Sequence, residues 1–90
     1  MEELDKIFKI LGEASRLDIL YCLEDGPKSV SQIIAFTGLS QPLASFHLKI
    51  LREAGLVIAQ RKSTIVLNKL ASPQIITLLE GFRGLCKDEK

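Results

Sequence analysis

Apolar residues recur at steps of three and four positions along most of the chain, which is the spacing of one face of an α-helix. Leu4, Ile7, Phe8 and Leu11 follow this spacing near the N-terminus. They predict a short amphipathic first helix that ends near Gly12, because glycine commonly follows the last turn of a helix.

Residues that favour helix ends bound two further apolar segments. Ser15 predicts the N-cap of a second helix that runs through Leu23. A third, short helix is predicted to start after Ser29 or Ser31, since either hydroxyl could cap it. This helix is predicted to stop at Gly38, where glycine allows the left-handed backbone of a sharp turn.

The fourth helix carries two start signals together, Ser40 as an N-cap and Pro42 in the first turn, where the missing N–H costs nothing. We expect this helix at about residues 41–54. Its predicted inward side chains are Ala44, Leu48 and Leu51. Its predicted outward side chains are Gln41, Pro42, Ser45, Phe46 and Lys49.

The helical spacing is interrupted once, by two β-branched runs that flank a basic segment containing Arg61 and Lys62. This pattern predicts a β-hairpin at about residues 56–68 with a cationic loop, and the lack of glycine at its tip leaves the turn geometry open. A final apolar helix is predicted at about residues 73–87, followed by a frayed tail. The predicted fold is therefore mainly α, with five helices and a two-stranded hairpin in the order α-α-α-α-β-β-α, in one domain over residues 1–90.

Charge is distributed unevenly along the chain, although the net charge is only +1. Residues 1–25 carry a net charge of −4, and residues 41–69 carry a net charge of +4. The basic segment is a candidate phosphate-binding surface, and ordinary solvated side chains are the alternative. The acidic N-terminus does not resemble a secretory signal and no long apolar run is present, so we expect a cytoplasmic protein without a membrane partner.

A helix, a glycine turn, a capped helix and a basic hairpin in succession are typical of a winged helix-turn-helix that binds double-stranded DNA. In this interpretation Gln41 and Ser45 hydrogen-bond to base edges in the major groove, and Phe46 contacts a thymine methyl group. Four cations are then expected to contact phosphates, which adds affinity without sequence information. They are Lys49, Arg52, Arg61 and Lys62.

Residues 39–57, LSQPLASFHLKILREAGLV, resemble the recognition-helix signature of the ArsR family of winged-helix repressors, the arsenical-resistance and metallothionein-repressor type. Residues 11–20, LGEASRLDIL, are similar to the start of that family's second helix. The resemblance implies a homodimer that joins through its first and last helices and represses at an inverted-repeat operator. It also implies that Gln41, Pro42, Ser45 and Phe46 make the base contacts.

The chain departs from the metal-sensing members of that family. Ser29 and Ser31 stand where thiolate-binding members have cysteines, and a serine hydroxyl is a poor ligand for soft metal ions. Zinc- and nickel-binding members use histidines on the last helix, whereas residues 72–90 contain none. We therefore expect no metal site and no cofactor.

Two cysteines and one histidine leave alternatives open. Cys22 and Cys86 fall on the helices where persulfide- or oxidant-sensing relatives carry a cysteine pair, but those relatives place the first cysteine at the position of Tyr21. One residue rotates a helical side chain by about 100°, so apolar packing of both cysteines is the alternative to a redox switch. His47 is expected to contact phosphate or make a local hydrogen bond.

Three classes of function follow from these patterns. The first is a sequence-specific DNA-binding repressor, and the second is a winged helix that serves as a protein-interaction module. The third, an enzyme, is disfavoured, because the chain has a single histidine, no paired acids in an apolar setting and no glycine-rich phosphate loop. No catalytic residue is expected.

Overall fold

Five helices and one antiparallel hairpin make up the part of the chain that the computed structural model describes, residues 2–86. The helices are α1 (Glu2–Leu11), α2 (Ala14–Cys22), α3 (Val30–Thr37), α4 (Gln41–Glu53) and α5 (Gln74–Leu85). The strands are β1 (Val57–Lys62) and β2 (Ile65–Leu70), between α4 and α5. The predicted order of elements is confirmed, and the fold is a winged helix-turn-helix. Residue 87 of the predicted last helix and the predicted frayed tail lie outside the described residues.

The helix starts follow local capping rules with one correction. The predicted cap Ser15 is wrong, because Glu13 is the N-cap of α2 and its carboxylate accepts a hydrogen bond from the Ser15 backbone N–H at 2.7 Å. Ser29 caps α3, because its hydroxyl accepts from the Gln32 backbone N–H and its own N–H donates to the Gln32 side chain. Of the two predicted caps, Ser29 and Ser31, Ser29 is therefore the one observed. Ser40 caps α4 as predicted, accepting from the Leu43 N–H at 3.3 Å.

The apolar core is centred on α2, which packs against α1, α3 and α4. Leu17 of α2 is only half-buried, while Ile19 and Leu20 have no exposed surface. The buried core residues come from α2 and the residue after it, α3, α4, β1 and α5. They are Ile19, Leu20, Cys22, Leu23, Ile33, Leu48, Leu51, Val57 and Ile76.

The turn between α3 and α4 depends on Gly38, whose φ of +78° lies in the left-handed region. Its N–H donates to the carbonyl of Ile34 at 2.8 Å, which closes the last turn of α3. Ser40 follows two residues later and starts α4. The backbone thus reverses between the two helices within three residues.

The hairpin is attached to the helical body at its base. Val57 pairs with Leu70 at that end, and Lys62 pairs with Ile65 next to the turn. The segment before α3 adds an antiparallel bridge in which Lys28 and Asn68 exchange backbone hydrogen bonds of 2.9 and 2.7 Å. These bonds hold the hairpin in a defined direction relative to α3.

The tip of the hairpin forms its turn without glycine. Ser63 takes a φ of +59°, and it is the one non-glycine residue with positive φ among the described residues. A left-handed conformation is strained for a residue with a side chain, so the turn stores a small conformational cost.

No helix within residues 2–86 has the length and apolar character needed to cross a membrane.

Candidate nucleic-acid interface

The two faces of α4 differ sharply in burial. Ala44, Leu48 and Leu51 have no exposed surface, so the inner face is held against the core along about two turns. The five residues predicted to point outward are all exposed. They are Gln41, Pro42, Ser45, Phe46 and Lys49. The outer face of α4 is therefore free for a partner while the helix itself is fixed.

The N-terminal end of α4 suits a polyanion. Its first turn contains no acidic residue, and the unpaired N–H groups of a helix N-terminus carry a partial positive charge. Leu43, which sequence analysis did not single out, is also half exposed in this turn. Exposure of a leucine beside Gln41 and Pro42 adds apolar surface to the face that would enter a groove.

The four predicted phosphate-binding cations do not form one group. Lys49 extends from the outer face of α4. Arg52 instead points towards the hairpin, where its Nη1 donates to Oδ1 of Asn68 at 3.5 Å. Asn68 is almost completely buried, and its own Nδ2 donates to the carbonyl of Lys28 at 3.4 Å. Arg52 therefore links α4 to β2 as well as presenting a charge at the surface.

Arg61 and Lys62 are adjacent in β1, so their side chains leave opposite faces of the hairpin. In the observed register Arg61 shares a face with Val57 and Asn68, both buried against the body of the protein. Lys62 lies on the other face, opposite Ile65. The two cations therefore point away from each other across the hairpin.

The hairpin also exposes apolar side chains that the description of a cationic loop missed. Ile58, Ile65 and Val66 are all exposed. Ile65 and Val66 lie at the turn end of the hairpin, where side chains on both faces are exposed, and Ile58 lies near the base on the face opposite the buried Val57.

His47 is buried, with 7% of its surface exposed, so the predicted phosphate contact is wrong. Its Nδ1 accepts a hydrogen bond from Nε of Arg16 in α2 at 3.2 Å. The bond spans 31 positions, so it is not the local hydrogen bond that the sequence suggested. Arg16 was not singled out as a site residue, because nothing in the spacing of α2 indicates a partner on α4.

The two cysteines lie in different environments. Cys22 ends α2 in the core with 2% of its surface exposed, and this burial raises the pKa of its thiol. Lys28 lowers that pKa to a smaller extent. Cys86 follows α5 and is exposed. Cys22 thus packs as a small apolar residue, which is the environment of a structural rather than a reactive thiol.

The described residues contain no cluster of three or more histidine, cysteine, aspartate or glutamate side chains arranged to hold a metal ion.

α1 and α5 leave a broad apolar area uncovered. The rings of Phe8 and Phe82 meet edge to face with centroids 5.5 Å apart, which joins the two helices into one surface. Glu80 links α5 to α2, since it accepts a hydrogen bond from the Tyr21 hydroxyl. It also forms an ion pair at 3.3 Å with Arg83 on its own helix. We call the exposed apolar residues of these helices the α1–α5 surface. They are Leu4, Ile7, Phe8, Leu78, Phe82 and Leu85.

Comparison with known sequences identifies several relatives. An uncharacterized HTH-type transcriptional regulator of Methanocaldococcus jannaschii is 42% identical over 64 residues, which cover 70% of this chain and 72% of the relative. The biofilm growth-associated repressor of Agrobacterium fabrum is 30% identical over 89 residues, 98% of this chain and 76% of the relative. Other curated relatives are longer, and the chain spans as little as 34% of their length.

Comparison with solved structures also identifies DNA-binding regulators. The homodimeric winged helix-turn-helix DNA-binding domain Mb0332 from Mycobacterium bovis superposes with a TM-score of 0.82 at 28% identity, and the match covers 92% of this chain and 80% of that one. The sequence model of the bacterial regulatory proteins of the arsR family matches residues 13–59, a segment that runs from the cap of α2 into β1. The chain therefore belongs to the arsR family of bacterial regulatory proteins.

Proposed function

We propose that the protein is a homodimeric transcriptional repressor that binds an inverted-repeat operator in double-stranded DNA. The observation that carries this proposal is the outer face of α4, which is exposed, combines polar with apolar side chains and is held rigidly by a fully buried inner face. A helix presented in this way fits the major groove, where each base pair offers a distinct set of donors and acceptors. Such a regulator would act in the cytoplasm.

Within that groove the first two turns of α4 supply the base contacts. Gln41 and Ser45 provide hydrogen-bonding groups, while Pro42 and Phe46 provide apolar contact, for example with a thymine methyl group. Lys49 then lies beside a phosphate backbone. Direct contacts of this kind carry the sequence information, because phosphate contacts are the same on every sequence.

The other three cations, Arg52, Arg61 and Lys62, are proposed to contact phosphates from positions that depend on the hairpin. Arg52 reaches a phosphate from its place beside Asn68, so its contact also fixes the hairpin against α4. Of the two cations in β1, Lys62 on the outer face of the hairpin is proposed as the principal phosphate contact and Arg61 as a secondary one. These contacts contribute to affinity on every duplex and make binding dependent on salt.

A second copy of the chain is proposed to cover the α1–α5 surface. Contiguous apolar areas of this kind are rare on monomers, and Leu85 and Leu78 are 84% and 63% exposed. The M. bovis domain of the same fold is homodimeric. A two-fold dimer presents two copies of α4 to successive major grooves, which requires an operator with inverted half-sites.

Base recognition can be tested with duplexes selected by the purified protein from a random library. Gln41→Ala and Ser45→Ala are each expected to weaken binding to the selected palindrome by ~1 to 3 kcal/mol and to leave nonspecific binding unchanged. Gln74→Ala, which removes an exposed glutamine at the start of α5, is the matched control and is expected to bind as the wild type does.

Two outcomes would contradict the proposal. Equal losses of affinity on all duplexes would show that α4 does not recognise bases. The absence of salt-dependent binding to any duplex would favour the second class of function, a winged helix whose α4 face contacts a protein.

A further inference from the structure

Arg16 connects three helices through one side chain. From the first turn of α2 its Nε donates to Nδ1 of His47 in α4, and its Nη1 donates to the carbonyl of Ile10 in α1, both at 3.2 Å. The guanidinium group is planar and its donors have a fixed relative direction. Two simultaneous bonds therefore hold α1 and α4 at a set position relative to α2.

The bond to α1 is favourable for a specific reason. The carbonyl of Ile10 is one of the last four of its helix and has no partner inside that helix. The C-terminal end of a helix carries a partial negative charge, which attracts the cationic group of Arg16. Arg16 thereby satisfies a carbonyl at the end of the helix that contributes half of the α1–α5 surface.

The bond to α4 fixes the ring of His47. Accepting a hydrogen bond at Nδ1 requires a lone pair there, so the ring is held with this nitrogen towards α2. The ring also packs edge to face against Phe46, with centroids 5.2 Å apart and an interplanar angle of 66°. Phe46 itself is 55% exposed on the outer face of α4.

We propose that Arg16 and His47 are positioning residues for sequence recognition, which set the direction of Phe46 and the placement of α4 relative to α1. Neither side chain touches DNA. The pair instead makes the choice of operator depend on a polar contact behind the outer face of α4. This inference rests on the proposed function, because it concerns the discrimination between duplexes.

The measured quantity is the ratio of the nonspecific to the specific dissociation constant, determined with the full chain on the selected palindrome and on a scrambled duplex. His47→Leu fills the ring's space without an acceptor, and Arg16→Lys keeps the charge without the planar fork. Each is expected to lower the ratio about tenfold through the specific constant alone. The double variant is expected to lose no more than the larger single loss, because both changes remove the same bond.

Two further variants separate positioning from stability. His47→Asn places an amide oxygen close to the position of Nδ1 but lacks the ring that packs against Phe46, so its ratio is expected to lie between those of His47→Leu and the wild type. Ile76→Val, a change in the core of α5 away from the pair, is a destabilised control that is expected to leave the ratio unchanged. If circular dichroism shows that His47→Leu does not fold, the ratios of Arg16→Lys and His47→Asn still test whether the bond between Arg16 and His47 affects sequence recognition.

Several results would overturn the inference while leaving the proposed function intact. One is an unchanged ratio in Arg16→Lys and His47→Leu, and another is an equal loss of affinity on both duplexes. The others are additive losses of the ratio in the double variant, or a loss in His47→Asn as large as that in His47→Leu. A wild-type protein with a ratio near one would instead overturn the proposed function, and this inference with it.

Discussion

Gly38 shows how one residue determines the geometry between α3 and α4. Its φ of +78° is unfavourable for a residue with a side chain, and apart from the glycine and its two chain neighbours no heavy atom lies within 4 Å of the position that a Cβ would take. The cost of a substitution at this position is therefore one of backbone conformation rather than of steric overlap.

Gly38→Ala is accordingly expected to lower the free energy of unfolding by about 1 kcal/mol, the cost of a left-handed conformation with a Cβ. Urea denaturation measures this as a lower midpoint with an unchanged slope. Gly84→Ala is the matched control, since Gly84 lies in α5 with open space around it and without a positive φ. An equal loss in both variants would show that the turn is not the cause.

The thiols of Cys22 and Cys86 are expected to react at very different rates. Burial raises the pKa of Cys22, so little thiolate forms near neutral pH, and the reagent has little access to the 2% of Cys22 that is exposed in the folded protein. With iodoacetamide at pH 7.5, we expect fast labelling of Cys86 and labelling of Cys22 only on unfolding. Mass spectrometry of the wild type and of Cys86→Ser measures this. Fast labelling of the folded Cys86→Ser protein would revive the redox-switch hypothesis.

At the residue scale, sequence analysis succeeded where the determinant is local. Ser40 and Pro42 mark the start of α4 because their effects act within one turn. The choice of Glu13 over Ser15 was missed, since both side chains can cap a helix and the surrounding chain decides between them. The Arg16–His47 bond was missed because it joins positions 31 apart, and no spacing rule connects them.

At the scale of elements, the hairpin presents two cations of equal charge on opposite faces. Lys62→Ala is expected to make the dependence of log K on log salt shallower by about one unit per subunit, hence about two units for the dimer, since each subunit loses one phosphate contact. Arg61→Ala removes the same charge from the other face and is expected to change the slope less. Fluorescence anisotropy at several salt concentrations measures the salt slope of both variants. Equal changes of slope would indicate that the salt dependence follows the net charge of the hairpin rather than a phosphate contact of Lys62.

The elements themselves were predictable to different degrees. The inner and outer faces of α4 followed from helical periodicity, because the core covers one side of that helix. The end of β2 did not follow, since Leu70 is in the strand through its pairing with Val57 and through the bridge between Lys28 and Asn68. Contacts between distant segments decide such strand ends, and a local pattern does not contain them.

At the scale of the whole molecule, the α1–α5 surface is the feature that a single chain leaves incomplete. Sequence analysis predicted an amphipathic first helix and an apolar last helix, and the family resemblance implied that these two helices join two copies of the chain. It did not predict that Phe8 and Phe82 would join these helices into one area, which depends on how α5 returns to the body.

Leu78→Lys is expected to weaken dimerisation at least tenfold without unfolding the monomer, because a charge would be buried without a partner in the dimer. Thr77→Lys adds the same charge at the neighbouring exposed position of α5 and is the control. Analytical ultracentrifugation gives both dissociation constants. An unchanged constant in Leu78→Lys would place the dimer interface elsewhere.

The uncovered area on α1 and α5 has a consequence for how the protein would respond to its own abundance. If two copies must associate before two half-sites can be occupied, the occupied fraction of the operator rises with the square of the chain concentration while monomers predominate. A modest fall in synthesis would then release the promoter more completely than a monomeric repressor could. The exposed leucines of α5 would in this way set the threshold at which repression begins.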